Sequence, residues 1–239
     1  MLMAPTERPI TSGSILSRPR VAAVVRRRWD DWIVVNAGTF LVALSAGWIT
    51  VVDIAGGAGD VPFLVAMGGA FAITAVAASW EEFVMRGAML KNFAEGADGY
   101  VPRWAAVGIA VLVSTGVFAV MHSGKVTGLG SYGYYLLAGL IFGCVHALAG
   151  DLALPVGFHA FYKFSMGAVF DLGVSQRSPE LFVLDIGGPT FWIGEEGLLR
   201  VIFAAVGGLL LVAYIRWRDG QLGIADRILQ WTPISNGDT

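Results

Sequence analysis

The chain has 239 residues, 56% of them hydrophobic and only 14% charged, with a formal net charge of −2. Soluble domains are nearer a quarter charged, so this composition excludes an ordinary water-soluble globular protein. Basic residues gather only at the edges of apolar runs, which excludes a nucleic-acid binder, and the single cysteine, Cys144, excludes an internal disulfide or a cysteine-based metal cluster.

Residues 1–28 carry Arg8, Arg18, Arg20, Arg26, Arg27 and Arg28 against one acid, Glu7. They read as a basic, flexible tail held in the cytoplasm by the positive-inside rule. Arg26–Arg28 precede a full-length apolar span, and no small-residue cleavage site follows a short core, so this is not a signal peptide. About six apolar runs follow, near residues 32–52, 62–80 (running on toward 93), 104–122, 132–150, 152–172 and 198–215. Together they predict an all-α, polytopic transmembrane helical bundle over residues 29–218.

Gly56–Asp60 reads as a short outside turn. Glu95–Gly99 with Pro102 reads as a turn between helices, and Gly150-Asp151 as a tight reversal. Segment 171–197 holds Asp171, Glu180, Asp185, Glu195 and Glu196 against Arg177, and reads as an outside loop. Residues 219–239, after Arg216 and Arg218, form a second cytoplasmic tail. Within it, 219–231 fit either an interfacial helix or a frayed end. An even number of spans places both termini inside a multi-pass plasma (cell inner) membrane protein, and the short arginine-rich tail and compact size suggest a bacterial one. Small residues such as Gly68-Gly69-Ala70 and Gly207-Gly208 suit close helix packing in lipid.

Against this apolar background stands Trp80-Glu81-Glu82-Phe83-Val84-Met85-Arg86. Ionisable groups inside membrane segments are expensive and usually functional. Glu82 and Arg86 lie one turn apart on a single helix face and can pair, which lowers the cost of both charges. Glu81 is rotated about 100° from Glu82, free to point toward a cavity and a water. The bland alternative is an interfacial charge cluster at a helix end.

The three histidines also fall in or beside apolar runs. His122 ends the run Val111–Met121, and Glu81 and His122 flank the turn near Pro102 almost symmetrically. In a helical hairpin they would sit at similar heights and share a water as general base and proton carrier. Strict 19-residue spans put them at opposite faces instead, so a long or tilted helix, or an interfacial piece around 88–100, is required. His159 has Lys163 one turn on, where a lysine must snorkel, pair or line a wet cavity. His146 lies as far before the Gly150-Asp151 reversal as His159 lies after it, and the two could face each other. His-Glu-x-x-His and Gly-x-Ser-x-Gly are both missing. Ligation of a divalent metal such as zinc by His122, His159 and a carboxylate, with His146 as a further ligand, is open, as is metal-free water activation.

The order Glu-Glu-x-x-x-Arg, Phe-x-x-x-His, then Pro-x-x-x-His in a late helix resembles the CPBP family over residues 62–170. These are the CaaX proteases and bacteriocin-processing, ABI-type membrane proteins. The resemblance implies a helical bundle whose polar residues meet in a membrane cavity and cleave a peptide bond, with or without metal. It implies Glu81 as the base that activates water, assisted by His122. Glu82 and Arg86 would support the site by pairing, and His159 would help hold the oxyanion. Two second matches compete. Glu195-Glu196-Gly197-Leu198-Leu199-Arg200 is set aside because no histidine follows it and it reads as a solvated helix start. Phe142-Gly143-Cys144-Val145-His146 is set aside because His146 lies too close to His159. Lys163 stands where the family pattern has Asn. It can only donate, so it would serve an oxyanion and disfavour a metal.

The expectation is therefore an intramembrane endopeptidase acting on a membrane-delivered peptide or protein, with the lipid bilayer as its other partner. The rival readings are a non-catalytic immunity or scaffold protein of the same family, which the lysine favours, and a proton-coupled carrier. The carrier lacks visible internal repeats or paired broken helices.

Overall fold

The computed structural model describes residues 35–125, 129–172, 179–194 and 197–230. The predicted basic tail, Arg177, Glu195, Glu196 and residues 231–239 lie outside the described residues. Six helices occupy the six predicted runs: α1 (Val35–Ser45), α2 (Phe63–Ala97), α3 (Arg103–Met121), α4 (Leu129–Ala149), α5 (Ala153–Phe164) and α6 (Leu198–Asp219). Among them α2, α3, α4 and α6 are long and apolar enough to cross a membrane. The chain is thus a multi-pass membrane bundle.

Local chemistry sets the helix ends. Pro62 and Pro102 stand immediately before α2 and α3, at φ −53° and −54°, where a missing N–H removes nothing and a fixed φ suits the approach to a helix. The α4–α5 reversal is built on Gly150, at φ +70°, whose N–H closes α4 on the His146 carbonyl. α5 continues into a short π-helical turn, Ser165–Val169.

α2 answers the height problem posed by Glu81 and His122. It runs unbroken for 35 residues, so the predicted interhelical turn shortens to residues 98–102. Its stretch Phe83–Leu90 is π-helical, immediately after the two glutamates. Such wider turns inside α-helices recur at functional sites.

Two expectations are corrected at the ends of the bundle. The first apolar run is not helical to residue 52: α1 stops at Ser45, Gly47 takes φ +70°, and Ile49–Gly56 forms a strand, β1. β1 pairs antiparallel with β2, Glu180–Ile186, inside the acidic segment predicted as a loop. The β-branched run Ile49-Thr50-Val51-Val52 suits a pleated strand as well as it suits lipid, and hydropathy alone does not separate the two. The second correction concerns residues 224–229, which are neither an interfacial helix nor frayed. Ile228 is 1% exposed against Leu90, Ala94, Val107 and Ala147, and Arg103 pairs with Asp226 at 2.7 Å. The Ala225 N–H donates to the Ala147 carbonyl. A Cβ on Gly150 would lie 2.6 Å from the Ala225 Cβ, so the reversal also seats this segment.

Candidate active site

Five of the sequence-predicted residues and Lys163 converge between α2, α3 and α5. Glu82 and Arg86 are fully buried, and Arg86 Nη1 donates to Glu82 Oε1 at 3.1 Å. The guanidinium lies 4.7 Å from the Phe118 ring centroid and 5.3 Å from that of Phe142, and Nη2 donates to the Gly139 carbonyl at 3.2 Å. That last bond ties α2 to α4 at Gly139, where α4 also lies close on α3. A Cβ on Gly139 would sit 3.2 Å from the Thr115 Cα, so glycine permits the approach. A charge pair withdrawn from water is tolerable only when its remaining donors and acceptors are engaged, and the ring faces and the carbonyl supply much of that engagement.

His159 is held on the same carboxylate. Its Nδ1 lies 2.7 Å from Glu82 Oε1, and its ring stacks on Phe142 at 4.7 Å. Glu82 is an acceptor, so Nδ1 carries the proton and Nε2 is turned toward Glu81 Oε2, at 3.6 Å. His122 ends α3 in the same manner. Its Nδ1 bonds the Phe118 carbonyl at 2.8 Å, its ring stacks on Tyr135 at 4.4 Å, and Nε2 faces Glu81 Oε2 at 3.9 Å. Glu81 therefore has one oxygen between two imidazole nitrogens and no hydrogen-bond partner on it. Its other oxygen, Oε1, accepts from Lys163 Nζ at 2.9 Å. The separations around Oε2 exceed direct hydrogen bonds.

His122, His159 and Lys163 line a cavity of about 70 Å³ whose other walls are mainly aromatic, including Phe118, Tyr134, Tyr135, Phe142, Phe158 and Tyr162. Glu81 stands one layer behind this lining and faces His122, His159 and Lys163 alike. His146 is turned elsewhere, with Nδ1 3.1 Å from the Asp151 carbonyl. Among the described residues no three His, Cys, Asp or Glu side chains are grouped to hold a metal ion, and an ammonium already occupies Glu81 Oε1.

One residue set aside in the sequence belongs to the cavity. In the sequence Arg200 reads as part of a solvated helix start, yet it is only 8% exposed and lines the chamber. Its Nε donates to the Tyr162 hydroxyl at 3.2 Å, and its guanidinium lies 3.9 Å from the Tyr134 ring centroid. Tyr134 donates to Tyr162, and Asn36 of α1 bonds the Tyr162 carbonyl and the Ser165 hydroxyl, which completes a buried polar wall. The signal was an arginine within the first turn of an apolar span. Its partners are aromatic hydroxyls from other helices, which no local motif reveals.

Residues 60–165 match the family model described as type II CAAX prenyl endopeptidase, Rce1-like. No curated protein and no solved structure shows a match. The matched segment contains Glu81, Glu82, Arg86, His122, His159 and Lys163, and ends before the second Glu-Glu-x-x-x-Arg. Over residues 60–165 the chain is thus similar to the Rce1-like CAAX prenyl endopeptidases, a membrane-protease family, and the similarity is consistent with the CPBP pattern of its motifs.

Proposed function

We propose that this chain is an intramembrane endopeptidase that hydrolyses a peptide bond of a membrane-delivered peptide or protein, using a water activated by Glu81 with His122. The observation that carries the reading is Glu81 Oε2: a buried carboxylate oxygen without a hydrogen-bond partner, faced at 3.6 and 3.9 Å by the Nε2 atoms of His159 and His122. Three acceptors converging on one point call for a donor, the part this reading gives to the attacking water as substrate enters.

In the reaction the water oxygen bonds the scissile carbonyl carbon as its proton passes to Glu81. The proton then reaches the leaving amine nitrogen directly or through His122, as the C–N bond breaks. The Phe118 carbonyl keeps the His122 Nδ1 proton in place, so Nε2 is the nitrogen that exchanges protons. The Glu82–Arg86 pair positions His159. His159, so held, is placed to help hold the oxyanion. General-base assistance of this kind contributes about 10²–10⁴-fold. The apolar, aromatic chamber excludes bulk water and receives an apolar residue beside the scissile bond.

The test compares membrane and secreted peptides from cells carrying wild type, Glu81→Gln, Glu195→Gln or no gene. Glu81→Gln should accumulate the same uncleaved precursors as the null, while Glu195→Gln matches wild type. A Glu81→Gln strain indistinguishable from wild type, where the null is not, refutes the peptidase reading in favour of a binding protein.

A further inference from the structure

Four charged side chains meet in two direct pairs at this site. Arg86 bonds Glu82 at 3.1 Å and Lys163 bonds Glu81 at 2.9 Å. Two carboxylates and two cations cancel. Take Lys163 away and Glu81 is left without its direct cationic partner, with two imidazole nitrogens 3.6 and 3.9 Å from its Oε2. Two imidazoles and a carboxylate, uncompensated, are the donor set of a divalent cation. The ammonium sits on the same carboxylate, on its other oxygen, and lines the chamber in which substrate would lie. A second, divalent cation on Oε2 would be repelled by it across a single carboxylate.

We propose that Lys163 is the resident cation of this site, holding Glu81 in the ground state and following the negative charge to the tetrahedral oxyanion, in the place a divalent metal would otherwise take. The second half rests on the peptidase reading; the first does not. When the water oxygen bonds the carbonyl carbon, its proton neutralises Glu81, and the carbonyl electron pair becomes the oxyanion. The charge that held Lys163 has then moved. A lysine stem is flexible enough to move with it, which the planar fork of an arginine would do less readily. Collapse of the intermediate re-forms the carbonyl and breaks the C–N bond. Glu81 returns its proton to the amine nitrogen, and Lys163 returns to Glu81.

The test uses zinc alone as the probe on the purified full-length chain in detergent, with bound metal counted after gel filtration. Wild type and Lys163→Arg should hold no site-specific zinc. Lys163→Asn, and Lys163→Gln as a second neutral variant should the first fold poorly, should each take up about one ion per chain, lost again on adding Glu81→Gln. Zinc bound by wild type and lost in Glu81→Gln overturns the proposal, as does a monodisperse neutral variant that binds no more than wild type. In cells, Lys163→Met should accumulate the precursors seen with Glu81→Gln. If Glu81→Gln accumulates them and Lys163→Met does not, the lysine role fails and the peptidase reading stands. If neither does, the peptidase reading fails and the oxyanion role with it.

Discussion

Removing the negative charge of Glu82 tests the buried frame of the site most directly. Glu82 Oε1 receives both Arg86 Nη1 at 3.1 Å and His159 Nδ1 at 2.7 Å, and neither Glu82 nor Arg86 is exposed at all. In Glu82→Gln the guanidinium keeps the Gly139 carbonyl and two ring faces but loses its counter-charge. Breaking a buried ion pair from one side costs about 3–5 kcal/mol, because a charge is left uncompensated. Total stability is roughly 5–15 kcal/mol, so the variant should unfold at a markedly lower denaturant concentration. Arg86→Met should cost a similar amount by stranding Glu82. The double variant removes both charges and should cost clearly less than the sum, a coupling of about 2–3 kcal/mol in a double-mutant cycle. The assay is reversible unfolding of the full-length chain in mixed micelles, read by tryptophan fluorescence. Single variants each losing less than about 1 kcal/mol, or additive losses, would show that the pair is not the buried frame described above.

Other consequences are simpler to read. His122→Gln should leave folding nearly intact and lower peptide cleavage by about 10²-fold, since it removes the proposed proton carrier but not Glu81; unchanged cleavage would exclude His122 from the reaction. Ile228→Ala should destabilise the chain by about 2–4 kcal/mol and expose residues 224–229 to protease, whereas Asp226→Ala, which breaks an exposed pair, should cost under about 1 kcal/mol. At the sheet, burial pushes the Asp171 carboxyl above the usual range despite the Leu184 N–H it accepts, and burial together with the Asp171 charge pushes Glu180 up as well. The folded chain thus binds these protons more tightly than the unfolded one. The β1–β2 pairing should gain protection as pH falls through the raised values and lose it as pH rises from about 4 past them. Amide exchange corrected for intrinsic rates checks this, with Asp171→Asn expected to flatten the profile; protection that falls on acidification refutes it.

Hydropathy and charge alone predicted six apolar helices, because a lipid solvent imposes long uniform runs that a local window can detect. The i, i+4 spacing predicted the Glu82–Arg86 pair and the separate direction of Glu81, because helix geometry is local. Short motifs picked out His122 and His159, and the same logic misplaced Arg200, whose burial depends on hydroxyls from α4 and α5. Strand β1 escaped for a related reason: its pairing partner lies more than a hundred residues away in an acidic segment.

What the amino-acid order determined by itself is the solvent of each segment and the residues able to carry charge within it. Both follow from neighbours a few positions apart. Only the tertiary structure decided which of those charges meet. It brought Lys163 onto one oxygen of Glu81 and two imidazoles around the other, turned His146 away to the Asp151 carbonyl, and set His122, His159 and Lys163 on the wall of an aromatic chamber. Those contacts join α2, α3, α4 and α5 across large sequence separations. They depend on where packed helices bring side chains in space, which no local periodicity encodes.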